Sequence, residues 1–94
     1  MTNIKNEVVE LISRLFSDKG FKTDIIEYID LIDDAGMDSI TFISIVVEIE
    51  AKFNIIVPDE MLIIDNFRNV DGIINLVEQE RKTEELENHN NGQA

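Results

Sequence analysis

The chain has 94 residues, with 20 Asp and Glu against 8 Lys and Arg, a formal net charge of −12 and no Cys. That length makes one small domain, and that charge excludes nucleic acid and anionic membrane surfaces, which both need a basic footprint. Without Cys there is no disulfide, thiolate metal site or cysteine nucleophile, and the single His, His89, lies in a polar tail where it completes neither a Ser/His/Asp triad nor a zinc site. A basic protein partner is favoured instead. The opening Met1-Thr-Asn-Ile-Lys-Asn-Glu lacks the basic start and apolar run of a signal peptide, and apolar runs such as Ile55–Val57 and Met61–Ile64 are too short to cross a bilayer. A cytoplasmic, non-catalytic monomer without membrane insertion is expected.

Taken in chain order, Asn3 to Phe16 predicts an amphipathic helix. Ile4, Val8, Leu11 and Leu15 recur at helical spacing, and Val9 and Ile12 widen the stripe. Thr2 or Asn3 caps its start, and Gly20 suits a left-handed turn beyond its end. Phe21 to Gly36 is a long connection that carries Ile25, Ile26, Tyr28, Ile29, Leu31 and Ile32. A connection of this length in a small domain is functional or anchored by its own side chains, and one short helical turn is expected within it. The second helix runs from Asp38-Ser39 to about Phe53, with Asp38 as N-cap and Asn54 as the stop.

Pro58-Asp59-Glu60 opens a short third helix through about Ile64, with Pro in the first turn where it costs least. The last helix starts near Asn69 and turns Val70, Ile73, Ile74 and Val77 inward, with Gly72 blurring its start. Beyond Arg81 there is almost nothing to bury, so the chain divides into a domain over 1–81 and a polar, disordered tail over 82–94. No segment alternates with period two and no repeat is present. The expected fold class is all-α: a small four-helix bundle with three longer helices, one short helix and a long loop after the first helix.

The second helix has more apolar surface than a core requires. With Ser39 at zero and about 100° per residue, Phe42, Ile45, Val46, Ile49 and Phe53 gather near 300°, the core face. Thr41, Ser44, Glu48 and Lys52 form the solvated side. Ile40, Ile43 and Val47 make a second apolar ridge continuous with Ser39. Burial under the long loop is one reading of this ridge, and a partner-docking surface beside Ser39 is the other. Charge favours docking, because Thr23 to Asp65 holds eleven acids and one base, Lys52. The acids do not make an EF-hand: with Gly36 at loop position six, Leu31, Ala35 and Phe42 take positions one, five and twelve. No metal site is expected.

Gly36-Met37-Asp38-Ser39-Ile40 resembles the Gly-x-Asp-Ser-(Leu/Ile/Met) signature of acyl and peptidyl carrier proteins, whose serine accepts 4′-phosphopantetheine. The likeness continues through Glu50-Ala51-Lys52-Phe53-Asn54 and Ile55-Ile56-Val57-Pro58-Asp59-Glu60, similar to the family's Glu-x-x-Phe…Ile-Pro-x-Glu passage. Asn66-Phe67-Arg68-Asn69-Val70 looks like its turn into the last helix, so the resemblance spans about residues 4–80. It implies that a phosphopantetheinyl transferase moves the arm from coenzyme A to Ser39, at a helix start whose dipole and free N–H groups favour a phosphate. Asp38 would cap the helix and help hold the transferase's magnesium. Gly36 would give the backbone its turn and leave room for the transferase.

Ile40, Ile43, Val47 and Glu50 would face partners: acyl-loading and acyl-processing enzymes with basic docking surfaces. Thr41, Ser44 and Ala51 depart from the family, being neutral where fatty-acid carriers usually have acids; only Asp38 and Glu50 keep that pattern. The implied role is a freestanding, non-enzymatic carrier of acyl or aminoacyl thioesters in polyketide or mixed polyketide–peptide biosynthesis. A fatty-acid or D-alanyl carrier is the alternative within the family. Outside it stand an unmodified docking or regulatory adaptor and an acidic metal buffer.

Overall fold

A computed structural model describes residues 3–20 and 23–91. Helices α1 (Ile4–Leu15), α2 (Thr23–Ile26), α3 (Ser39–Phe53) and α4 (Val70–Asn91) follow in order, with 3₁₀ turns at Ser17–Lys19, Asp59–Met61 and Ile64–Phe67. No strand occurs among the described residues, and the all-α expectation holds.

Helix α1 begins where an Asn can satisfy an orphan donor. Asn3 keeps an extended backbone, and its Oδ1 accepts from the Lys5 N–H at 2.8 Å. Thr2, the other cap considered, lies outside the described residues, as does Phe21 at the head of the connection. Val8, Val9, Leu11 and Ile12 are buried, and α1 packs against α2, α3 and α4. Gly20 takes φ +83°, the left-handed region its lack of a Cβ makes cheap. The stripe read from spacing is therefore the face on which the bundle is assembled.

The long connection is pinned, as its apolar content requires. Ile26, in the single turn α2, and Leu31 beyond it are wholly buried, and Ala35 and Met37 follow them into the core. Helix α3 contributes Ile45, Val46, Ile49 and Phe53 to the same core. Phe42 is a correction: it is half-buried at the core's edge, with its ring edge-to-face on Phe67 at a centroid separation of 5.1 Å. Its place on the helix wheel was right, but it stands one turn from the exposed end of α3, where the packing thins out.

The third helix expected from Pro58 to about Ile64 is also corrected. It is two 3₁₀ turns separated by Ile63 in extended conformation (φ −121°, ψ 129°). The i→i+3 bonds from Met61 N–H to Pro58 O and Leu62 N–H to Asp59 O close the first turn, and the chain turns extended at Ile63 before a second turn begins. Asn69 opens α4, its Oδ1 accepting from the Gly72 N–H at 2.8 Å. A Cβ on Gly72 would stand 3.2 Å from that Oδ1 and 3.3 Å from the Asn66 carbonyl, so the glycine that blurred the helix start fits the cap.

Val70, Ile73, Leu76 and Val77 bury the inner face of α4, while Ile74 is only partly covered. The backbone stays helical to Asn91, past the expected fraying point at Arg81. No Gly or Pro interrupts that stretch, and its Lys, Glu and Leu are strong helix formers. Arg81, Lys82 and Thr83 are exposed, and residues 92–94 of the tail lie outside the described residues.

Because Phe67 is wholly buried and Phe42 is not, Phe67→Ala is expected to cost about 3–5 kcal/mol and Phe42→Ala distinctly less. Urea midpoints at unchanged slope check this ranking.

Candidate functional site

Local hydrogen bonding delivers the chain to Ser39 in a fixed orientation. Asp30 Oδ1 accepts from the N–H groups of Ile32 and Asp33 at 2.9 and 2.8 Å, and Asp34 Oδ2 accepts from the Asp30 N–H at 2.8 Å. Asp34 and Ala35 N–H donate back to Asp30 O, so residues 30–35 close on themselves. The turn ends at Gly36, whose φ of +67° is left-handed and whose N–H reaches Ile32 O at 3.1 Å. Met37, buried, donates to Leu31 O at 2.9 Å. The requirement for glycine at 36 is conformational: outside its two chain neighbours, a Cβ there would find among the described residues no atom within 4 Å but the Lys19 Nζ, at 3.9 Å.

Arg68, which the sequence reading passed over, fastens this loop from outside. Its Nε lies 2.6 Å from Asp30 Oδ2, in an ion pair whose angle is not that of a hydrogen bond. Its terminal nitrogens reach Asp65 Oδ1 at 3.1 Å and Asp33 Oδ1 at 3.6 Å, and its carbonyl accepts from the Leu31 N–H. Partial burial alone would lower the guanidinium pKa, but the three carboxylates outweigh it and raise it. The one signal in sequence is a lone Arg close after an acid-rich stretch, which does not say which acids it meets.

Helix α3 starts as its first residues dictate. Asp38 is extended (φ −106°, ψ −178°), and its Oδ1 accepts from the Thr41 N–H at 2.8 Å. That bond, first among its causes, holds the Asp38 carboxyl below its ordinary range, with Lys19 adding a smaller pull. Ser39 is the first helical residue and is exposed. The N–H groups of Ser39 and Ile40 have no acceptor among the described residues, and they stand at the positive end of a 15-residue helix. A hydroxyl here is reachable, and an anion attached to it would meet two free donors.

The ridge beside it is open. Ile40, Ile43 and Val47 are 77%, 58% and 57% exposed, so the long loop does not cover them. Glu50 lies on the same face but is half-buried, and its Oε2 accepts from the Val57 N–H at 2.9 Å, tying α3 to the segment that follows. Glu48 is likewise engaged, in a two-point pair with Arg14 at 2.7 and 3.2 Å. The structure thus brings Gly36, Asp38, Ser39, Ile40, Ile43 and Val47 onto one accessible end and face, with Glu50 turned toward the chain itself.

Sequence reasoning also missed Ile56, Leu62 and Ile63, which are exposed beyond α3. A signal existed for Ile56: in an extended Ile55-Ile56-Val57 run, burying the outer two residues must turn the middle one outward.

The arrangement is thus a small helical domain that presents an exposed serine at the first position of α3. Residues 7–77 match the family model described as a phosphopantetheine attachment site, and the chain belongs to that family. Its domains are non-catalytic carriers of covalently attached 4′-phosphopantetheine, modified by phosphopantetheinyl transferases and served by acyl-processing enzymes. Comparison with the curated proteins and with the solved structures gives no significant match. Among the described residues no helix is long and apolar enough to cross a membrane.

The loop and cap carboxylates give this end of the molecule an acid limit. Hydrogen bonds from the Asp33 N–H, then the Ile32 N–H, and the charge of Arg68 lower Asp30 against a smaller effect of burial. Asp30 and Asp38 both lie below the ordinary 3.8 when folded, so the stability they contribute is whole above 3.8 and is lost as pH falls through their lower folded values. Melting temperature is expected to fall less steeply with acid below about pH 4 in Asp30→Asn and Asp38→Asn than in the parent. Parallel curves would contradict this assignment.

Proposed function

We propose that this chain is a freestanding carrier protein that holds acyl or aminoacyl intermediates as thioesters on a 4′-phosphopantetheine arm at Ser39, in polyketide or mixed polyketide–peptide biosynthesis. The observation that carries the reading is the exposed Ser39 hydroxyl at the first position of α3, set just after a buried Met37. Burial of Met37 and the Asp38 cap limit how far the attachment point can wander, which favours enzymes that must find it repeatedly. The donor set fits the group: the free N–H groups of Ser39 and Ile40 suit a phosphodiester oxygen.

During loading, Ser39 Oγ gives up its proton and forms the new P–O bond, while the bond from that phosphorus to the adenosine bisphosphate of coenzyme A breaks. When bound, the arm supplies the thiol that this Cys-free chain lacks. Asp38 has one carboxylate oxygen on Thr41 and a second to offer the transferase's magnesium. Gly36 lets the backbone turn into the helix beneath an open space.

Docking falls to the ridge of Ile40, Ile43 and Val47, with basic enzyme surfaces drawn by the surrounding acids. Glu50, turned to Val57, supports the ridge from below more than it meets partners directly. The pathway assignment is supported by helix α3 itself. Its only acids are Glu48 and Glu50, both engaged within the chain, so its outer face is apolar and not the acidic face of a fatty-acid carrier.

Incubation with coenzyme A, magnesium and a promiscuous transferase is expected to add one phosphopantetheine mass, located on Ser39 and abolished in Ser39→Ala. Absence of the adduct, or its persistence in the variant, would leave the unmodified adaptor as the reading. Intact mass from the native cell reports arm, cargo and chain length together. Val47→Asp should weaken turnover by acyl-processing enzymes several-fold while leaving the far-UV spectrum and melting temperature nearly unchanged, since the residue is already in solvent. A large drop in melting temperature would show the ridge to be structural.

A further inference from the structure

Attachment of a phosphodiester at Ser39 adds negative charge where the chain can least absorb it. Asp33, Asp34 and Asp38 are all exposed within six residues of the hydroxyl, in a protein already at −12. Among the described residues, most of the cations that could compensate are spoken for; Lys22 lies outside them. Arg14 is paired with Glu48, Lys5 with Glu27 at 3.5 Å and Lys52 with Glu7 at 3.7 Å, and Arg68 is held by three carboxylates. Arg81 and Lys82 stand on the distal part of α4.

Lys19 is different. It closes the 3₁₀ turn after α1, is exposed, and makes no ion pair among the described residues. Its Nζ stands 3.9 Å from the point that a Cβ on Gly36 would occupy, and outside Ala35, Gly36 and Met37 no other described atom comes within 4 Å of that point. The glycine therefore leaves room beside the lysine ammonium, three residues before Ser39 in the chain. Its field already reaches Asp38, which it helps to keep ionised.

We propose that Lys19 is the electrostatic partner of the phosphodiester on Ser39, drawing the phosphate toward the space over Gly36 and so biasing the direction in which the arm leaves the protein. The inference rests on Ser39 being the attachment point. An exposed pair of this kind is weak and screened by salt, so it sets a preferred direction without immobilising the arm. It divides the work with the helix: the N–H groups of Ser39 and Ile40 meet the phosphate from the α3 side, and the ammonium meets it from the turn after α1. The role makes Lys19 a positioning residue, with no part in forming the ester bond.

The test uses the full chain loaded from coenzyme A, as parent, Lys19→Gln and Lys19→Arg, each checked by intact mass. In the loaded parent at low salt, nuclear Overhauser contacts are expected between the Lys19 Cε protons and the arm's methylene group next to the phosphate. The phosphorus resonance should move by more than its linewidth in Lys19→Gln, return toward the parent position in Lys19→Arg, and lose this dependence in high salt. Full loading on Ser39 with no contacts and one phosphorus position in all three proteins overturns the inference and leaves the attachment reading standing. Failure to load Ser39 in any of the three overturns the attachment reading, and this inference with it.

Discussion

The structure depends on sinking Leu31, Ala35 and Met37 into the core from a connection that is otherwise acidic. Burying three apolar side chains over seven residues is the main force available there, since the acids around them repel one another. Once they are down, the intervening polar residues have to face outward and bond locally. They do so through Asp30 and Asp34, and the turn must end at a residue that accepts a positive φ. The helix that follows then has one direction in which to start. An exposed serine on a well-fixed backbone results from burial a few residues earlier.

Charge plays a second, orienting part. Lys5 reaches Glu27, Arg14 reaches Glu48 and Lys52 reaches Glu7, so α1 is tied by ions to the connection and to α3. Exposed pairs like these are screened by solvent and contribute far less than the aromatic burials beneath them. Their effect is on distribution. Several acids of the packed bundle are matched internally, while those near the 3₁₀ turn at Asp59–Met61 are left in solvent beside an apolar surface. The exposed surface there, with Leu62 and Ile63 among its residues, therefore mixes bare aliphatic side chains with carboxylates that no ion pair engages among the described residues.

Much of this was legible in the sequence, and the limits fall where contacts become distant along the chain. Asp38 and Asn54 mark the two ends of α3 because cap chemistry is local, and the α1 stripe is a matter of spacing alone. Ser39 and its neighbours emerged from adjacent residues. Phe42 was misjudged because a helix wheel gives direction and not depth; its depth depends on Phe67, twenty-five residues on. Glu50 looked like a surface acid until the chain after Asn54 turned back to put the Val57 N–H against it. Arg68 meets Asp30 across thirty-eight residues and the Lys19 ammonium borders Gly36 across seventeen, where no periodicity helps. The third helix was misjudged because Pro58 marks where a turn opens and not how far it runs; the chain is extended again by Ile63.

None of the side chains buried in the described interior carries an N–H or O–H group. A core of such residues can exchange one aliphatic side chain for another of similar volume at modest cost, since no hydrogen bond must be rebuilt. The mouth of α3 has no such latitude, because a cap, a left-handed turn and a hydroxyl each demand a particular chemistry. Residues 36, 38 and 39 are therefore less exchangeable than the aliphatic positions of the interior, where a neighbour of similar volume can stand in.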